Sequence, residues 1–405
     1  MDLLTRTADF TPTRAAALER LAVFVPNAGS KYADKRNFDF GPDDRSNISA
    51  LSPHIRHRLI SEHEVCAEVL KVFAPSTAEK FIQEVFWRTY WKGWLEMRPA
   101  LWSRYNAELD EVLTLIKRNS GLRKIYEQAI SGRTGNEAID AWAAELLETG
   151  YLHNHTRMWF ASIWIFTLRL PWQLGADFFY RHLMDGDPAS NTLSWRWVAG
   201  LQTRGKTYLA RASNISEYTN GRYRPDGLAR EANPLEWDNP PPAASLHYRK
   251  TPSGNPSLLL VTEEDCNPDV PTGVTGFVTW QLTGERAVLE IGEKPTLFAA
   301  GALADASKRL SKNITSHGAL EGSGAIANII EIARSLNVRE IVTMHAPVGP
   351  VKDALEALEN AAALHGIELR CITREWDRLA WPSASRGFFN LKENIPELLR
   401  LNQLL

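Results

Sequence analysis

The chain has 405 residues, a formal net charge of −2 and 44% hydrophobic residues, enough for more than one sizeable core. So balanced a charge excludes a globally basic nucleic-acid binder, and any such site must be a local patch. Three widely spaced cysteines (Cys66, Cys266 and Cys371), no signal-like start and no membrane-length apolar run exclude a disulfide framework, and the expectation is a soluble, cytoplasmic protein.

Residues 1–47 read as irregular and polar, and contain Tyr32, Arg36 and Asn37. Ser52-Pro53 predicts a helix start, with Ser52 as N-cap and Pro53 at the first helical position. Ser49 and Ser52 at that start suit simple capping or an anion site. Residues 76–98 predict a second helix, on which Glu84, Trp87, Arg88, Trp91 and Trp94 follow the helical period. That stripe suits core packing, with Glu84 and Arg88 as an ion pair, or a pocket that stacks a flat polar ligand. Further helices are predicted near 104–118, 121–131 and 137–148, with no strand before residue 200.

Residues 149–197 (TGYLHNHTRMWFASIWIFTLRLPWQLGADFFYRHLMDGDPASNTLSWRW) organise the rest. A nearly all-apolar helix over 158–170 is predicted buried. Asn154, Arg157 and Met158 share one face at spacings of three and four. A buried guanidinium needs a carboxylate, and Asp185 and Asp187 supply two. With Trp172, Trp195 and Trp197 they point to a large planar ligand. Residues 199–235 are loop-rich, with Arg204, Lys206, Arg211, Arg222 and Arg224 among Tyr208, Tyr218 and Tyr223. This is either a nucleic-acid contact or an ordinary solvated surface. Pro240, Pro241 and Pro242 mark 236–256 as a linker. Beyond it, predicted strands at 257–262, 275–280, 340–346 and 368–373 alternate with helices near 298–312, 324–337 and 350–365, implying an open parallel α/β sheet. Gly322, Gly324 and Ala327 spell GxGxxA, but behind a predicted helix and loop. Helix-start packing is therefore the reading, not a dinucleotide turn.

TGYLHNHTRM, followed by DGDPASN and SWRW, resembles the flavin-binding domain of the photolyase/cryptochrome superfamily, which shows TGWMHNRxRM, DGDxAxN and a tryptophan pair. SALSP resembles its flavin-phosphate motif SxLSP, EVFWR its substrate-pocket motif ExxWR, and TGNEAIDA its TGYPxVDA. The likeness runs from about Tyr32 to Asp226. In most of the family the α/β domain comes first; here it follows, and RGFFNLKENIPELL resembles the segment after that domain in ordinary members. Inverted order marks a bacterial subgroup, the NewPHL-type photolyases. The resemblance implies a multidomain chain: an all-helical FAD-binding domain over 1–235, a linker over 236–256, and a Rossmann-like parallel α/β domain over 257–405 covering the flavin site.

It also implies a deoxyribodipyrimidine photolyase, a blue-light-driven lyase. This enzyme splits cyclobutane pyrimidine dimers in single-stranded DNA by electron transfer from reduced FAD, works as a monomer and needs no metal. Implied FAD contacts are Tyr32, Ser49, Leu51, Ser52, Arg88, Asn154, Arg157, Asp185, Asp187 and Asn191. Among these, Arg157 pairs with Asp185 beside the flavin ring and Asn191 faces flavin N5. Ile48 stands where the family has threonine. Glu84, Trp87, Asn154 and Met158 match the pocket for the flipped dimer. Asn154 and Met158 replace the histidines of 6–4 photolyases, which points to cyclobutane dimers. Trp195 and Trp172 match the inner and middle electron-transfer tryptophans. The outer one is unmatched, with Trp102, Tyr105, Tyr126 and Trp164 as substitutes. His155 stands in place of a usual arginine and, with Trp197, Arg204, Lys206 and Arg211, is an implied DNA contact. The alternatives are a cryptochrome-like photoreceptor that signals without repair, and a dark electron-transfer flavoprotein.

Overall fold

A computed structural model describes residues 10–405. Twelve α-helices run from Arg14–Phe24 to Ala212–Tyr218 before the first strand begins at Ser257. Those that matter for the site are Ser52–Arg56, Glu79–Glu96, Asn154–Ser162, Trp172–His182 and Pro188–Val198. The predicted cap at the first of these is displaced by one residue. Leu51 is the N-cap and Ser52 the first helical residue, so the Ser52 side chain is free for another partner. The long apolar helix is also shorter than its pattern suggests. It is α-helical only to Ser162, continues as a π-helical turn over Ile163–Thr167, and stops before Pro171. Residues preceding a proline are disfavoured in the α region, and Arg169 turns left-handed (φ 55°) to end the run.

No helix or strand forms between Tyr218 and Ser257, and this connection is laid against the helical part. Arg98 donates to the Pro241 carbonyl (3.0 Å), and Ala244 N–H to the Met97 carbonyl (2.9 Å) at the end of the 79–96 helix.

The sheet has five parallel strands, β1 (Ser257–Thr262), β2 (Val274–Gln281), β3 (Thr315–Glu321), β4 (Glu340–Met344) and β5 (Glu368–Ile372), in the order β3-β2-β1-β4-β5. Four were predicted. β3 escaped because it lies at the sheet edge and is mostly exposed, so TSHGALE carries no apolar run. Its presence corrects the premise used against GxGxxA, since a strand does precede Gly322. The turn is still unsuited to a phosphate. The Glu285 carboxylate accepts the Ser323 N–H (2.8 Å) and lies where a Gly322 side chain would begin, an anion already in the cradle.

Alternation along β1 divides the hydrophobic packing. Leu258 and Leu260 face a core built with Ile329, Ile341 and Leu355, while Leu259 and Val261 join the core of the helical part. The order reverses between β1 and β4, the switch point where an open α/β sheet offers its crevice. Here the loops at that crevice grip the helical part. Arg56 forms a two-pronged ion pair with Glu264 (2.6 and 2.5 Å) and also donates to the Gly186 carbonyl (3.0 Å). Arg58 pairs with Asp377, and Val348 N–H reaches Glu96 (2.5 Å). The C-terminal helices Glu375–Ala380 and Phe388–Leu401 fold back onto the 79–96 helix: Trp376 donates to Thr89 (2.9 Å), and Trp381 lies against Gly93.

Candidate functional site

The loop DGD, residues 185–187, is the centre of a buried polar network. The Arg157 guanidinium donates to Asp185 (2.9 Å) and to the Leu152 carbonyl (3.0 Å). Burial alone would raise the Asp185 carboxyl, but Arg157 and the Ser52 hydroxyl hold it below the usual carboxylate range. Its second oxygen, Oδ1, is buried without a hydrogen-bond partner among the described residues. Asp187 has a role its motif does not announce. It is the N-cap of Pro188–Val198, accepting from Ala189 N–H (2.8 Å) and Ser190 N–H (3.0 Å), and it also takes Arg88 (3.2 Å). Arg88 therefore does not pair with Glu84 along its own helix. It turns inward, and Glu84 pairs with Arg36 instead. Burial pushes the Glu84 carboxyl up, with Arg36 opposing.

One turn away, Asn191 donates its amide to the Ala176 carbonyl (2.8 Å). Its side-chain oxygen is thus left as an acceptor, narrower than the two-way role a free amide offers. Ser49 lies beside Ala50, whose left-handed backbone (φ 47°) is uncommon for a residue with a side chain. The Ser49 hydroxyl accepts the Leu51 N–H (3.4 Å), while the Leu51 side chain is fully buried and offers a ligand only its backbone. Tyr32 is packed edge-on between Phe24 and Phe81, a core position.

Trp87 is half-buried, and the Phe388 ring lies flat on it, centroids 3.6 Å apart and planes 9° from parallel. Asn154 is exposed as the first residue of its helix, and Met158, four residues on, is half-buried. His155, expected at the DNA, is half-buried and has both ring nitrogens engaged. One ring nitrogen meets the Asn37 carbonyl (2.9 Å) and the other the Tyr208 hydroxyl (3.0 Å), while the ring stacks on Trp159. Burial lowers its pKa, with the Asn37 carbonyl and Asp39 opposing. Trp197 is half-buried beside Tyr208; Arg204, Lys206 and Arg211 are exposed, with no ion pair among the described residues. Trp195 and Trp172 are both buried, but each has other ring partners: Phe160, Trp164 and Phe179 for Trp195, and Tyr105 for Trp172. Gly175 permits this arrangement, because a Cβ there would lie 2.3 Å from the Trp195 ring.

Sequence reasoning missed Arg36 as the partner of Glu84, Phe388 as the partner of Trp87, and Arg56 as the support of Gly186. The serine–proline start had drawn attention to the right segment for Arg56. Nothing in the local pattern of RGFFNL signals a contact with a helix so far away in the chain.

Residues 81–226 match the family described as the FAD binding domain of DNA photolyase. This stretch of the chain is therefore similar to the helical FAD-binding domain of the photolyase/cryptochrome superfamily. It is similar to the deoxyribodipyrimidine photo-lyase of Alkalihalophilus pseudofirmus, 31% identical over 193 residues, covering 47% of this chain and 39% of that one. Similarity to the enzyme of the same name from Agrobacterium fabrum is also 31%, over 195 residues, with the same two coverages. A solved bacterial class III photolyase from Agrobacterium tumefaciens is 23% identical with a TM-score of 0.39, over 51% of this chain and 43% of that one. The chain thus spans 39% of the length of each of these two curated relatives. The residues present suit FAD: the Arg157 and Arg88 side chains are partly exposed, and Asp185 and Asn191 each keep an oxygen without a partner among the described residues.

Proposed function

We propose that the protein is a light-driven photolyase of the inverted-order subgroup that repairs cyclobutane pyrimidine dimers in single-stranded DNA. The observation that carries this reading is the division of labour on one helix, Glu79–Glu96. Arg88 reaches inward to the DGD loop, while Glu84 and Trp87 stay partly exposed on the adjoining face. A ligand at the DGD loop and a base on Trp87 would then share one wall. Bound FAD supplies the light absorption and the electron. Arg157, Asp185, Arg88, Asp187, Ser49, Ser52 and Asn191 would hold it. Glu84 would accept a hydrogen bond from the pyrimidine edge, Trp87 would stack on it, and Asn154 and Met158 would close the pocket from the neighbouring helix. A dimer already stacks poorly, so its extrusion costs only about a few kcal/mol. We also propose the division into a helical domain over 1–235, a linker and an α/β domain from 257, whose loops seal the flavin side through Arg56 and Glu264. Arg204, Lys206, Arg211 and Trp197 are the proposed contacts to the flanking strand.

Glu84→Ala and Trp87→Ala should retain FAD and lose affinity for a dimer-containing oligonucleotide, by up to roughly a hundredfold for the stacking residue. Unchanged affinity in both would remove this face from the mechanism. Two contacts favour the photoreceptor reading: Arg36 already engages Glu84, and Phe388 already covers one face of Trp87.

A further inference from the structure

The segment just before the last helix, Arg386-Gly387-Phe388-Phe389, combines four features beside the candidate pocket. Phe388 stacks on Trp87 and meets Tyr90 edge-on, which fixes the start of the Phe388–Leu401 helix against the 79–96 helix. The next residue, Phe389, is 76% exposed, and no other phenylalanine or tryptophan among the described residues is comparably exposed. Arg386 is exposed and makes no ion pair among the described residues. The helix behind them has Gly387 as N-cap, no side-chain cap and no acidic residue in its first turn, so its free N–H groups and positive end are uncompensated.

An exposed aromatic ring, a free guanidinium and an open helix N-terminus within four residues suit single-stranded nucleic acid. The ring stacks on a base of any sequence, and the cation and N–H groups meet the adjoining phosphate. A folded protein partner would call for a wider apolar patch than one phenyl ring. We propose that Phe389 and Arg386 bind the nucleotide flanking the lesion: Phe389 stacks on its base, Arg386 contacts its phosphate, and Phe388 is the keystone that holds both beside Trp87. This inference rests on the reading of Trp87 as the wall of the dimer pocket.

The test is binding in the dark by the full-length, FAD-loaded chain, with two probes: an isolated dimer dinucleotide and the same dimer within a ten-nucleotide single strand. Phe389→Ala should weaken the longer probe by roughly five- to a hundredfold and leave the dinucleotide within twofold. Phe389→Trp should restore the longer probe. Arg386→Gln should reduce the slope of log affinity against log salt by about 0.7 for the longer probe, the value for one lost single-strand phosphate contact. Equal binding of the longer probe by wild type and Phe389→Ala, or an unchanged salt slope in Arg386→Gln, would overturn the proposal. Trp87→Ala distinguishes the two levels. If it leaves the dinucleotide unaffected, the pocket reading fails; if it abolishes dinucleotide binding while Phe389→Ala changes nothing, only the flanking site fails.

Discussion

Glu264→Gln removes the charge that faces Arg56 where the sheet's switch point meets the helical part. The two side chains are 4% and 9% exposed and are joined by two hydrogen bonds of 2.6 and 2.5 Å, so the remaining guanidinium would be buried without its counter-charge. Breaking a buried pair from one side costs about 3–5 kcal/mol. Arg56 also supports Gly186, between Asp185 and Asp187, so its displacement disturbs the loop proposed to hold FAD. Loss of one charge-assisted hydrogen bond there predicts roughly a tenfold fall in FAD affinity. Urea unfolding followed by tryptophan fluorescence gives the stability, and titration of the apoprotein with FAD gives the affinity. The double variant Glu264→Gln, Arg56→Met should recover most of the stability, since no charge is left buried, but not the affinity, since the donor to Gly186 is gone. A Glu264→Gln variant within about 1 kcal/mol of wild type, the range of an exposed ion pair, would refute the reasoning.

Gly175→Ala should force the Trp195 ring aside. Overpacking costs about 1–3 kcal/mol and alanine returns up to about 1 kcal/mol in helix propensity, so a net loss of about 1–2 kcal/mol should appear in a urea melt. A stabilised variant with unchanged Trp195 fluorescence would show that the ring yields freely. Glu263 is fully buried, and burial pushes its carboxyl up to about 7, with hydrogen bonds from Leu282 N–H and the Thr283 hydroxyl opposing. A raised carboxyl stabilises the fold at low pH and loses that contribution as pH rises through 7. Stability measured against Glu263→Gln should therefore fall by about 2–3 kcal/mol from pH 5 to pH 8, and a constant difference would contradict it.

The helical-then-parallel order was legible because period 3.6 and short apolar runs each report burial directly, as in SLLLVT and EIVTM. Within the run TGYLHNHTRM to SWRW, the expectation that a buried guanidinium needs a carboxylate is met by the pairing of Arg157 with Asp185. β3 was not legible, because an exposed edge strand has no need of apolar residues. Nor was the π turn over Ile163–Thr167, which the hydrophobic pattern does not record. The partners Arg36, Phe388 and Glu264 are supplied by tertiary contact, and a periodic pattern records which face is buried, not what covers it. The same holds for His155, which reads as a surface contact until Asn37 and Tyr208 close around its ring.

The central claim is light-driven repair. Full-length protein loaded with FAD and chemically reduced without oxygen should be mixed with ultraviolet-irradiated single-stranded oligonucleotide, and intact dimers counted by chromatography before and after blue light. The dimers should disappear in the light, persist in the dark, and disappear more slowly from the same sequence in duplex. An undiminished dimer count under light, with FAD bound and reduced, would contradict the claim and leave the photoreceptor reading in its place.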